Sequence, residues 1–126
     1  MTSALPRFPP YPIRGVRVLH QRQNCAPHFA HVEVDFEPAA EGFSFEVAPD
    51  LTVEHEPAED VPRFFKAVAG GIEEQLRSPE HKVVIAARVV LRRARTETAG
   101  SHELAFRIAG YLAARKALEG TGYPRC

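Results

Sequence analysis

The chain has 126 residues, 44% hydrophobic and 25% charged, and its sixteen basic and sixteen acidic side chains cancel to zero formal net charge. That length fits one domain, and neutrality excludes bulk electrostatic attraction to nucleic acid, so any such binding must come from a local patch. No apolar run approaches the ~20 residues of a membrane helix. The opening MTSALPRFPPYP lacks the apolar stretch of a secretory signal, so a cytoplasmic location is expected.

Residues 1–12 carry Pro6, Pro9, Pro10 and Pro12. Proline fixes φ and removes donors, which predicts an extended or disordered arm. The arm can instead pack on the sheet or on a neighbouring subunit. A first strand is expected from Ile13 to His20. A clearer one follows in His31-Val32-Glu33-Val34-Asp35-Phe36-Glu37, where strict alternation means one buried and one wet face. Gly42 to Val47 repeats the alternation with Phe43, Phe45 and Val47, and Leu51 and Val53 extend or follow it. Asp60 and Pro62 mark a helix start, with Asp60 the candidate cap.

Val61, Phe64, Phe65, Val68, Ile72 and Leu76 then recur at helical spacing. Gly70-Gly71 inside this helix costs about 1 kcal/mol per glycine, which suggests close approach of a second helix. A strand from Lys82 to Arg93 should put Val83, Ile85, Ala87, Val89 and Leu91 on one face. Val84, Ala86, Arg88, Val90 and Arg92 fall on the other. Ser101 to Leu118 reads as an amphipathic helix capped by Ser101, with Gly120 as its stop. Its expected buried face is Leu104, Ala105, Ile108, Ala109, Leu112 and Ala113. Strand, strand, strand, helix, strand, helix predicts a two-layer α+β domain, a mixed four-stranded sheet with two helices on one face. The expected boundaries are an arm over 1–12, a domain over 13–120 and a tail over 121–126.

No constellation argues for an enzyme. Cys25 and Cys126 have no metal-ligand spacing and read as reduced thiols. The six histidines include no i,i+4 pair, and His28 and His31, three apart on a strand, face opposite sides. Ser101-His102-Glu103 cannot converge, because successive helix residues point about 100° apart. Glu33, Asp35 and Glu37 share one wet strand face. No G-x-x-x-x-G-K-[ST] phosphate loop occurs, so neither nucleotide nor other cofactor is implied.

Four segments together carry a family resemblance. HVEVDFEP at 31–38, FFKAVAGGIEEQL at 64–76, VVIAARVVL at 83–91 and SHELAFRIAGYLAARKA at 101–117 resemble, in order, the fourth domain of bacterial elongation factor G. The resemblance covers about residues 13–119. It implies a two-layer sandwich with a left-handed β-α-β crossover, a fold shared with several ribosomal proteins. It also implies two tip loops that meet RNA in the ribosomal decoding site. The tip departs from the family pattern. Asn24, Cys25, Ala26, Pro27 and His28 stand for its Gly-Gly-Arg-Gly-Gln, and Ala94, Arg95, Thr96 and Glu97 for its Gly-Ser-Tyr-His.

Arg88, Arg92, Arg93 and Arg95 lie on one strand end and the loop after it, and Arg22 and His28 join them if both tip loops sit together. Guanidinium groups suit phosphate oxygens. The expected RNA-binding set is therefore Arg22, His28, Arg92, Arg93, Arg95 and Glu97, with ribosomal RNA or the ribosome as partner. The same residues also read as a solvated strand end diluted by Glu97. The expected function is a non-catalytic, translation-related module binding ribosomal or other structured RNA. The alternative is a protein-interaction or homo-oligomerising domain, such as a homodimer, that keeps the scaffold and has lost the ribosome.

Overall fold

The computed structural model describes residues 5–23 and 25–121. Met1 to Ala4 of the arm, Asn24, and Gly122 to Cys126 of the tail lie outside the described residues. Five strands and two helices follow in chain order: β1 (Arg7–Phe8), β2 (Ile13–Arg22), β3 (His28–Pro38), β4 (Gly42–Val47), α1 (Val61–Leu76), β5 (Val84–Arg95) and α2 (Glu103–Gly120). The sheet runs β1-β5-β3-β2, with β4 also paired to β5. β3 is antiparallel to β2 and β5, whereas β1 and β4 are parallel to β5. The β4–α1–β5 passage is thus a crossover between neighbouring parallel strands. The α+β expectation stands, with five strands rather than four.

The extra strand comes from the proline-rich arm. Arg7 and Phe8 pair with Val84 and Ile85, and Val84 N donates to Pro6 O at 2.8 Å. Phe8 is fully buried, edge-on to Phe36 with ring centroids 5.8 Å apart. A buried phenyl ring anchors a segment that proline content alone predicted to be loose. Leu51 and Val53 form no strand, but both pack against the core. β5 starts at Val84 rather than Lys82 because Lys82 adopts a left-handed conformation, φ 51°, after the 3-10 turn Pro79–His81.

Both helix starts differ from expectation. Asp60 makes no capping hydrogen bond; its carboxylate pairs with Arg63 instead. His102, not Ser101, caps α2: its Nδ1 accepts from Ala105 N at 3.2 Å. Ser101 Oγ is engaged elsewhere, donating to Phe29 O at 2.8 Å. The buried face of α2 is also rotated. Ala105, Phe106, Ala109, Gly110, Ala113, Ala114, Ala117 and Leu118 are buried, while Leu104 is 54% exposed and Ile108 and Leu112 are half-buried. The rotation follows from what α2 faces, since it packs at once on α1 and on β2 and β3.

Small residues let the helices come close. A Cβ on Gly71 would overlap the Arg107 carbonyl, and one on Gly110 the Val68 carbonyl. The expected close approach thus belongs to Gly71. Gly70 meets only the Arg107 guanidinium, at 3.2 Å. Phe64 stacks on Phe106 at 4.8 Å, tying α1 to α2. The core lies between these helices and the sheet, with Val16, Val18, Val32, Val34, Phe36, Val89 and Leu91 buried beneath them. The sheet's other face carries no helix, yet Ala86 and Val90 are buried rather than forming an apolar strip. Val90 sits between Asp35 and Glu46 in register, where the Arg92–Asp35 and Arg88–Glu46 pairs cross beside it.

Candidate nucleic-acid interface

The open sheet face is built by alternation. In β3 the residues Ala30, Val32, Val34 and Phe36 point to the core, so His31, Glu33, Asp35 and Glu37 point away from it. Opposite residues of neighbouring strands share a face. Arg17 therefore joins Glu33, and Arg93 and Arg95 join Glu33 and His31. A register shift between Glu33 and Val34 leaves Arg92 as an extra residue in β5. A bulge of this kind flips the alternation, so Ala94 returns to the core while Arg93 and Arg95 both stay outside.

The face is a lattice of ion pairs. Arg14 meets Glu37 at 2.8 Å, Arg17 meets Glu33 at 2.9 Å, Arg88 meets Glu46 at 2.7 Å and Arg92 meets Asp35 at 2.8 Å. Asp35, only 5% exposed, also accepts from Gly15 N at 2.8 Å. That bond holds the β2 irregularity between Ile13 and Val16, where Gly15 takes φ 69°. The Arg14 hydrogen bond holds the Glu37 carboxyl below its usual range, and the Asp35 hydrogen bond raises Arg92 above its own. Arg93 reaches Glu33 only at 3.9 Å. Arg95 makes no ion pair among the described residues, and its guanidinium lies 6.0 Å from the Phe29 ring centroid. Beside these groups runs an open groove of about 820 Å³, lined among others by Arg14, His31, Asp50, Thr52, Arg93 and Arg95.

His31 stands opposite Arg95 in this groove, and its buried Nδ1 has no hydrogen-bond partner among the described residues. Burial, then Arg95 and Arg17, push its pKa down. The ring is thus a neutral polar group among cations.

Three of the six expected site residues, Arg92, Arg93 and Arg95, converge here. Arg22 and His28 do not. They are register partners, and His28 lies on the helix side with Ala30 and Val32, so the sheet separates them from the arginine row. His28 is buried and bonded to His20, which removes it from any exposed contact set. Glu97 is exposed in the β5–α2 loop, where its backbone N–H donates to Ser101 Oγ at 2.9 Å. The two tip loops do meet, yet Arg22 and His28 stay apart from the arginine row. Phe29 N donates to Gly100 O at 2.7 Å, and a Cβ on Gly100 would stand 2.9 Å from Phe29 N. Sequence reasoning missed His31, Arg14 and Arg17 as members of the face. The alternation in β3 held the signal for His31, but the β2 register had to be known for the other two.

No family model matches the chain, and no curated protein matches it. Among solved structures it is similar to a protein from Thermus thermophilus, with TM-score 0.63 and 21% identity over 87% of this chain. The chain spans 16% of the length of that protein. At this identity the likeness is one of fold. Among the described residues no helix is long and apolar enough to cross a membrane.

Proposed function

We propose that the chain is a non-catalytic, translation-related module that binds ribosomal or other structured RNA through the Arg93 and Arg95 end of its open sheet face. The observation that carries this reading is an inequality among arginines. Arg14, Arg17, Arg88 and Arg92 each spend their guanidinium on a carboxylate at 2.7–2.9 Å. Arg93 and Arg95 do not, and they sit at the strand end nearest the loops that the elongation factor G resemblance assigns to RNA. Forked donors without a close carboxylate partner, beside a groove, suit phosphate oxygens. The resemblance of four sequence segments to the fourth domain of elongation factor G supports the translation link.

Co-sedimentation with ribosomes across a salt series tests it. Binding should weaken with salt, and Arg93→Ala with Arg95→Ala should reduce the slope of log K against log salt by about 1 per lost phosphate contact. Unchanged binding in the double variant would remove RNA from the reading. A second reading, a protein-interaction or homo-oligomerising domain, is favoured by the near-complete pairing of the face and by the zero net charge. It expects partner capture that persists after nuclease treatment.

A further inference from the structure

We propose that His20, His28 and His102 form an acid-released latch that holds the β2–β3 turn against the start of α2. The three rings stack in sequence on the helix side of the tip. His20 Nε2 lies 3.0 Å from His28 Nδ1, and the His28 ring stands edge-on to His102 with centroids 4.7 Å apart. His102 then closes both ends. Its Nδ1 accepts from Ala105 N at 3.2 Å, and its Nε2 lies 3.2 Å from Pro27 O. A carbonyl only accepts, so Nε2 carries the proton and Nδ1 is bare. One neutral tautomer therefore caps the helix and ties down the turn at once.

Protonation undoes this arrangement by geometry. A proton on His102 Nδ1 turns the capping acceptor into a donor aimed at the Ala105 N–H. It also sets a positive charge at the positive end of the α2 dipole. Between His20 and His28 one proton makes the bond, whereas a fully protonated pair puts two N–H groups face to face at 3.0 Å. The charges around the trio do not offset this. Arg22, from β2, lowers both His20 and His28. Glu97 in the β5–α2 loop and Glu103 in the first turn of α2 are exposed, and Glu103 faces Arg63 at 3.7 Å. Arg95 lies on the opposite sheet face.

Burial first, then the neighbouring histidines and Arg22, push the pKa of His20 and His28 down in the closed state. Opened rings, with the ordinary value of about 6.5, then take protons first. The closed latch is favoured above that pH and loses its advantage as pH falls through it.

Amide hydrogen exchange on the full chain tests the proposal, read as protection factors from about pH 7.5 to about pH 5. The Ala105 and Phe29 amides, which close the tip, should lose about fivefold or more. The buried amides of Val34 and Ile72 should hold. His102→Asn keeps a capping oxygen that does not titrate, so the acid loss of Ala105 protection should shrink to the part that the His20–His28 pair carries. Flat protection in the parent, parallel loss at Val34 and Ile72, or an undiminished acid loss at Ala105 in His102→Asn each overturns the latch. Ring-nitrogen NMR of the parent gives a second measure that needs no variant. His102 should show the Nε2–H tautomer at neutral pH. The Nδ1–H tautomer there also overturns the latch.

Discussion

The two faces of one sheet are built on different physics. The covered face is apolar and interlocked, with Gly71 and Gly110 letting two helix backbones touch and Phe64 stacked on Phe106. The open face is a grid of arginines and carboxylates, most of them partly exposed. Apolar burial contributes about 25 cal/mol per Å², whereas exposed ion pairs contribute about 0–1 kcal/mol each. Stability therefore resides on the helix side. The exposed ion pairs of the open side can vary with little penalty.

Substitutions can break or sharpen this contrast, and the largest effects are expected on the covered face, at Gly71 and Phe106. Gly71→Val drives a side chain into the Arg107 carbonyl, a backbone atom with no room to give, and should cost about 3 kcal/mol or more in urea melts. Gly70→Ala, one residue away, meets only a flexible guanidinium and should change stability by less than about 1 kcal/mol. Next comes Phe106→Ala, expected to cost about 3–5 kcal/mol because the ring is only 1% exposed. Half-buried Ile108→Ala should cost clearly less, reversing the order that helical periodicity suggests.

On the open face the largest effect should come from Asp35→Ala. It leaves Gly15 N–H and Arg92 without their acceptor and should cost about 1–3 kcal/mol by thermal or urea unfolding. The smallest stability effect belongs to Arg93→Ala with Arg95→Ala, within about 0.5 kcal/mol. In that variant the salt dependence of RNA binding should fall while the melting curve stays in place. A large loss of stability there would break the contrast between the faces.

Much of the fold was legible in the chain. Alternation located the core strands of the sheet, as in Val32, Val34 and Phe36, and period 3.6 located α1 with Phe64, Val68, Ile72 and Leu76. The α2 face was misread because Leu104 and Ile108 are larger and more apolar than the alanines and Gly110 that are actually buried. Close helix contact selects small residues, and a hydrophobicity pattern discounts them. The site was half legible. Arg92, Arg93 and Arg95 were found together, but the bulge at Arg92 that turns Arg93 and Arg95 onto the open face leaves no mark in the period.

The sequence by itself determined the α+β class and the wet, charged character of one strand face, because those depend on short-range periodicity and on counts of apolar residues. Only the tertiary structure decided that Phe8 anchors the proline-rich arm, that His102 rather than Ser101 caps α2, and that Arg22 and His28 stand across the sheet from the arginine row. Each of those outcomes depends on contacts that no short-range period encodes. A local pattern lists the possible partners of a residue, and register and packing choose among them.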